Sequence, residues 1–351
     1  MFKDMADGIP FSERKASTMT VVVQISEVNP ETAFWLLPWT YVESYKKTKK
    51  KCSEGVEYHE PGTICSIASS CPGRKILRVR GMNKTGKAFQ HATTIAMSIG
   101  RKFLSLKMSK GKIQICGVTH LDDIQLSIQL IFQHLQRIKQ YMDTFKSSDR
   151  EYYLQRVQEH CQGNPTMRKV QTHYSDSGPI ELTVNRLVPD HEIRAVNLNE
   201  ISDSLLQFLL SYARDFTYFS DYMLMLRKFH LLPDIFVEPL TVLDHEIVMC
   251  NYNYNLGYKV NKDVLKSCFN RRDGFMARQN KATSDCVTIE LPYTPGRTIV
   301  KRKRNKIPHH TFIVYGTGSV TQSGPFGKIS EMAHESFMSI IKRFEDEIKI
   351  T

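Results

Sequence analysis

Phe103-Leu104-Ser105-Leu106-Lys107-Met108-Ser109-Lys110-Gly111-Lys112-Ile113-Gln114-Ile115-Cys116-Gly117 alternates apolar and polar residues on both sides of Gly111. That pattern reads as a strand, a tight turn and a second strand. An amphipathic helix is expected next, over roughly His120–Gln140, with Ile124, Ile128, Ile131, Leu135 and Ile138 in one stripe. Thr311-Phe312-Ile313-Val314-Tyr315-Gly316-Thr317-Gly318-Ser319-Val320-Thr321-Gln322-Ser323-Gly324 repeats the arrangement 207 positions later, before a helix over roughly Lys328–Ile348. That second helix is expected to turn Ile329, Met332, Phe337, Ile340, Ile341 and Phe344 inward. Both copies place a glycine, five residues and a second glycine between turn and helix. Two copies at so long a spacing indicate a duplicated domain rather than a solenoid.

The charge pattern is duplicated too. Pro61–Leu121 holds 11 Lys/Arg and no Asp or Glu; Leu291–Ser330 holds seven and again no acid. Together they exceed the whole chain's net charge of +12. Solubilising surfaces mix both signs, whereas acid-free strands beside basic loops form a footprint for a polyanion. Nucleic acid is therefore the expected ligand.

The 351 residues suffice for two or three compact units, and 41% hydrophobic with 24% charged residues is ordinary for globular protein. No apolar run reaches the length of about 18 residues that a membrane helix needs, and Met1–Gly8 lacks a signal-peptide core. A soluble intracellular protein is expected, with no membrane partner. The eight cysteines form no C-x-x-C pair and several fall inside strands, which fits reduced thiols. Cys52, His59, Cys65 and Cys71 match no common zinc spacing, so neither metal nor other cofactor is expected.

Working outward, residues 1–18 read as a loose arm. Thr20–Ser26 reads as a strand, and Asn29-Pro30-Glu31 starts a helix that ends before Pro38. Lys46–Lys51, with five lysines, sits in a long basic loop within 46–73; Lys75–Arg80 and Thr93–Ile99 are further strands. The segment 146–240 interrupts the duplication as a helical insertion or linker. It carries a helix over Glu151–His160, a loop through Ser175–Pro179 and a long helix over Asn199–Leu231. The stripe Leu205, Leu209, Tyr212, Phe216, Phe219, Met223, Leu226 either packs on its own domain or offers a partner seam. The second half restarts as a strand over Glu246–Tyr252, a helix over Asn261–Phe269 and a strand over Cys286–Leu291. The expected organisation is an arm (1–18), a first repeat (19–145), the insertion (146–240) and a second repeat (241–351).

Each half thus reads strand, helix, strands, glycine-turn hairpin, long helix. Leu106–Gly117 and Ile313–Gly324 each resemble, without a gap, the phrase L-I-F-x-S-G-K-[hydrophobic]-x-x-T-G of the TATA-box-binding protein family. The resemblance covers 75–145 and 244–348 well and 19–45 weakly. It implies an α+β fold of two saddle repeats, each a curved antiparallel sheet with helices on the convex face. The family's function, a transcription initiation factor on AT-rich promoter DNA in the minor groove, is implied as well. So are partners among other initiation factors and RNA polymerase, and no enzymatic activity. The insertions resemble those of divergent members encoded by large DNA viruses, which implies a nuclear site, a cytoplasmic viral factory or the virion.

The family's wedges, side chains that unstack base steps, fall on Met108 and Tyr315, with further wedge positions near Phe89 or His91 and near Ser284–Cys286. Its base-contacting hydroxyl is kept at Ser323 and replaced at Cys116; its strand asparagines map to Glu246 and Val21. Lys107, Lys110, Lys112, Arg101 and Lys102 flank the first hairpin as phosphate contacts. Arg297, Lys301, Arg302, Lys303 and Arg304 occupy the place of the stirrup loop, where they would neutralise phosphates or serve as a nuclear-import signal.

Two readings compete. Gly81-Met82-Asn83-Lys84-Thr85-Gly86-Lys87-Ala88 nearly spells a phosphate-binding loop, but Ala88 stands where a magnesium-binding hydroxyl belongs. His309-His310 has no acidic neighbour in sequence, and no catalytic motif appears elsewhere. The other rival is a saddle retained as an assembly scaffold without TATA-specific bending.

Overall fold

The computed structural model describes residues 10–40, 42, 59–70, 77–81, 91–146, 149–160, 166–172, 180–186, 200–213, 219–228, 231–270, 274–279, 285–292 and 309–350. The chain divides into two units. Val22–His245 forms the N-terminal unit; Glu246–Thr351, joined by Met1–Val21, forms the C-terminal unit.

The N-terminal unit begins in β1 (Thr18–Ile25), which crosses the boundary. Helix α1 (Pro30–Leu36) follows. The Asn29 side chain caps it by accepting the Glu31 and Thr32 amides at 3.0 Å, and Pro30 presets the first turn. Then come β2 (Ile64–Ser70), β3 (Leu77–Gly81), β4 (Thr93–Ser98), β5 (Phe103–Ser109), β6 (Lys112–Val118) and helix α2 (Asp122–Lys146). The strand order is β1-β6-β5-β4-β2-β3. The first strand thus lies beside the last, and the Ile25 amide donates to the carbonyl of turn residue Gly111 at 3.0 Å. Both helices pack on one side, α1 against β2 and β4, α2 against β6. Leu104, Leu106, Met108, Ile113 and Ile115 face them, as do Ile131, Leu135 and Ile138 of α2; all are at most 1% exposed.

The insertion holds α3 (Arg150–His160), β7 (Thr166–Thr172), β8 (Ile180–Arg186), α4 (Ser204–Ala213) and α5 (Phe219–Lys228). It is therefore not purely helical, because β7 and β8 pair as an antiparallel hairpin. Tyr141 of α2 stacks on Phe208 of α4 with ring centroids 4.5 Å apart. Leu209, Met223 and Leu226 are buried, so these residues of the apolar stripe pack on their own unit and offer no partner seam. Tyr212, Phe216 and Phe219 lie outside the residues whose side chains are described.

The C-terminal unit repeats the topology. Its elements are β9 (Val242–Asn255, beginning four residues inside the other unit), β10 (Lys259–Val260), α6 (Lys262–Asn270), β11 (Met276–Gln279), β12 (Cys286–Pro292), β13 (His309–Tyr315) and β14 (Ser319–Gly324). Helices α7 (Lys328–Arg343) and α8 (Glu345–Ile348) and strand β15 (Lys349–Ile350) complete it. The order β9-β14-β13-β12-β11 matches β1-β6-β5-β4-β2, and the Leu256 amide donates to Gly318 O at 2.9 Å as Ile25 does to Gly111. The two hairpins and their helices thus belong to sheets of one topology. The fold is α+β, with two repeats of one topology, each an antiparallel sheet with helices on one face.

Phe337 of α7 anchors the C-terminal core, stacked on Phe312 at 4.3 Å and on Phe269 at 5.3 Å. Ile340 and Ile341 are buried as expected, but Ile329 and Met332 are 50% and 59% exposed. The helix is rotated so that Ser330, Ala333 and His334 face inward instead. A polar network fixes that rotation. Gln322 donates to Ser330 O at 2.7 Å, and its Oε1 receives the Tyr254 hydroxyl at 3.3 Å and His334 Nδ1 at 3.1 Å. Residues 10–17 pack here as well. Phe11 stacks on His334 at 4.5 Å, Arg14 lies over the Tyr254 ring, and the Ser17 amide donates to Asn251 O at 2.7 Å.

Candidate nucleic-acid interface

Side chains alternate along a strand, so each sheet has a second face, turned away from its helices. In the N-terminal unit, register places Thr94, Lys107 and Gln114 in one row and Ala96, Ser105 and Cys116 in the next. Phe103, Ser109 and Lys112 continue the same face. No acidic residue falls on the described part of these strands, and lysine, glutamine and hydroxyls dominate.

Met108 is not on that face. It pairs with Ile113, is 0% exposed and points to the helices, so the expectation that it forms a wedge is overturned. The cause is one residue of turn. Ser109 pairs with Lys112 across the two-residue turn Lys110-Gly111, whereas Val314 pairs with Val320 and leaves a longer turn, Tyr315–Ser319. The ungapped alignment therefore holds for β6 and β14 but slips by one between β5 and β13. A slip of one residue reverses the face of every side chain. Met108 corresponds in space to Val314, and Tyr315 corresponds to Ser109. Tyr315 does stand on the open face, 39% exposed, opposite Cys286.

The open face of the C-terminal unit carries a stripe that the sequence reading missed. Asn251, Asn253 and Asn255 of β9 pair with Ser323, Thr321 and Ser319 of β14. Ser323 donates to Asn251 Oδ1 at 2.6 Å and Thr321 to Asn253 Oδ1 at 2.9 Å. Asn251 Nδ2 donates to Thr18 Oγ1 at 2.7 Å, and Asn255 Nδ2 to Ser319 Oγ at 3.2 Å. Of these three asparagines, Asn253 alone makes no hydrogen bond through its amide nitrogen among the described residues. The glycine-turn hydrogen bonds align Leu256 with Ile25, so Asn253 is the counterpart of Val22 and Asn255 of Gln24. The mapping of asparagine positions to Glu246 and Val21 was thus out of register. Asn-x-Asn-x-Asn in Asn251–Asn255 was the available signal: period two puts all three on one face. Thr311, Ile313 and Thr288 extend this face, with Glu290 as an acid set between Arg278 at 3.4 Å and His309 at 3.6 Å.

Two expected phosphate contacts are engaged in structure. Arg101 and Lys102 both bind Asp123 at the start of α2, Lys102 at 2.9 Å, and Lys102 also donates to Gly117 O and Thr119 Oγ1. Burial alone would raise the Asp123 pKa. Lys102, the Thr119 and His120 amides and Arg101 outweigh it and hold the carboxyl far below the usual range. Lys110, in the turn, pairs with Glu27 at 3.0 Å while both stay largely exposed. Lys107 and Lys112 lie on the open face by register. His91 is exposed just before β4, with a positive φ of 59°. Phe89, the near-phosphate-loop 82–88 and the basic run containing Arg297, Lys301, Arg302, Lys303 and Arg304 lie outside the described residues, as do Cys52 and Cys71. Among the described residues no group of three or more side chains is placed to hold a metal ion.

No protein-family model matches the chain, and no curated protein does. A solved structure, Methanococcus jannaschii TBP, is similar at 10% identity, with 94% of this chain and 99% of that chain covered and a TM-score of 0.37.

Proposed function

We propose that this protein binds duplex DNA through the open faces of its two sheets and acts as a divergent TATA-box-binding-protein-like initiation factor. One observation carries the reading. Among the described residues, the face away from the helices is lined in both units by amide and hydroxyl groups, with Lys107 and Lys112 in the N-terminal unit and Glu290, set between Arg278 and His309, in the C-terminal unit. Lys107 and Lys112 suit phosphates, whose neutralisation releases counterions. Asn253, its oxygen occupied by Thr321, presents N–H donors. The minor groove of an A·T pair offers only the acceptors A N3 and T O2, which such a donor matches. The basic run Arg297–Lys306, outside the described residues, would add phosphate contacts or a nuclear-import signal, in keeping with action in the nucleus or a viral factory. Its partners in this reading are other initiation factors and RNA polymerase, and no catalytic role is proposed.

A second reading, an assembly scaffold, draws support from Phe326, Ile329 and Met332, which are 50–59% exposed at the start of α7. A binding titration on AT-rich and GC-rich duplexes at two salt concentrations separates the readings. The DNA reading expects AT preference and an affinity that falls steeply with salt, at about 0.9 log units of affinity per log unit of salt for each phosphate neutralised. Absence of binding to either duplex at low salt would leave the scaffold.

A further inference from the structure

The loop that leads out of the insertion is pinned to the segment between β1 and α1. Thr32 Oγ1 donates to Pro233 O at 2.8 Å, Asn29 N to Ile235 O at 2.7 Å, and Ser26 N to Thr241 O at 3.0 Å. Between the last two pins, the five residues Phe236–Leu240 span the gap that Glu27 and Val28 span on the other side. The longer run bows out, and a cavity of about 560 Å³ opens between the two. Pockets of roughly 300–1,000 Å³ suit a compact ligand group. The inner wall is apolar: Val28 and Ile235 are 2% and 0% exposed, and Phe236 is half-buried. At the outer lip Val237 is left 85% exposed, on a loop fixed by those hydrogen bonds and stiffened by Pro239. In that position its side chain adds almost no burial to the fold.

The mouth is acidic, on a chain whose net charge is +12. Glu27, Asp234 and Glu238 line it against a single lysine, Lys110. The Lys110–Glu27 pair, at 3.0 Å, is 71% and 73% exposed and therefore easily exchanged. Lys139 of α2 meets Asp234 at 3.8 Å, whereas Glu238 makes no ion pair among the described residues. Carboxylates here repel a phosphate backbone and favour a cation. The geometry points to a docking site for a partner polypeptide that presents an aliphatic side chain beside an arginine. The aliphatic group fills the cavity against Val28 and Ile235 and covers Val237. The guanidinium meets Glu27 and Glu238 at the rim, in place of Lys110. The walls are already pinned, so little ordering is lost on binding. Docking here is independent of DNA binding.

The test is the anisotropy of a fluorescein-labelled short peptide alternating leucine and arginine, titrated with the full chain. It should bind saturably, at one site per chain. A leucine–glutamate peptide, which the net charge of +12 would draw to an unspecific surface, should not bind. A serine–arginine peptide leaves the cavity empty and should bind at least about tenfold more weakly. Glu27→Gln combined with Glu238→Gln should weaken the leucine–arginine peptide roughly two- to thirty-fold, the range of two exposed ion pairs. Val237→Ser should weaken it by up to about tenfold. All three positions are exposed, so the variants keep the fold, and none should weaken duplex binding. Absence of leucine–arginine binding, equal affinity for the serine–arginine peptide, or wild-type affinity in the variants would overturn docking at this cavity. Self-association of the wild-type chain in sedimentation equilibrium that Val237→Ser abolishes would overturn the partner in favour of a second copy.

Discussion

Acid should loosen this protein through histidines that are buried neutral, and the C-terminal unit should feel it most. His310 is 1% exposed and His334 6%. Burial pushes both down to about 4 from an ordinary 6.5, helped by His309 beside the first and by Arg14 near the second. Because the folded value lies below the unfolded one, the unfolded chain binds more protons between those limits. The stabilisation is full above pH 6.5 and drains as pH falls towards 4. At pH 4.5 each histidine would have forfeited on the order of 2 kcal/mol, allowing for solvent screening. The pair together approaches the whole stability of a marginal domain, about 5 kcal/mol. In the N-terminal unit His134 shifts in the same direction, because burial outweighs its 2.8 Å hydrogen bond to Gly62 O. The assay is urea denaturation at pH 7 and pH 4.5. It is followed by circular dichroism for the whole chain and by tryptophan fluorescence for the N-terminal unit, which holds both tryptophans, Trp35 and Trp39. The perturbation is His310→Leu, since Leu104 stands at the corresponding place in the other repeat. The variant should recover about half of the acid loss seen by circular dichroism. Equal acid sensitivity in variant and wild type, or stability unchanged between the two pH values, would refute the reasoning.

Gly324→Ala should destabilise by about 1–3 kcal/mol through overpacking, because a β-carbon there meets the His310 ring and lies 3.0 Å from Ser330 Oγ. In a His310→Ala background most of that effect should vanish, and a thermal-melt double-mutant cycle reads the coupling. Phe337→Ala, which breaks two ring stacks in the C-terminal core, should lose roughly 3–5 kcal/mol by denaturation.

The hairpins, both long helices and the proline-started α1 were legible because period two, period 3.6 and a capping asparagine are local signals. The stripe Ile124–Ile138 is buried throughout, as its spacing required. What local signals could not supply was register. The motif around Gly111 and Gly318 aligns without a gap, yet the second turn is one residue longer, and that residue moved Met108 into the core and left Tyr315 outside. The rotation of α7 was hidden for a related reason. Ile329 and Met332 look like core residues, but Gln322 holds Ser330 and His334 inward through hydrogen bonds formed only after the sheet is built. The hairpin β7–β8 lies in a polar stretch without clear alternation, and it was missed.

The placing of residues 10–21 with the C-terminal unit bears on how the protein is made. On the ribosome this segment emerges more than 200 residues ahead of the surface that it covers, formed by Tyr252, Tyr254 and His334. Closing a loop of more than 200 residues would cost about 5 kcal/mol in chain entropy. The N-terminal unit shortens that search, since the Ser26 amide donates to Thr241 O at 3.0 Å and so brings the segment's exit next to the start of β9. Translation therefore builds the clamp before the part it holds. A mutation that loosens the N-terminal unit would slow completion of its neighbour. A fragment beginning at Glu246 would emerge with its aromatic surface bare.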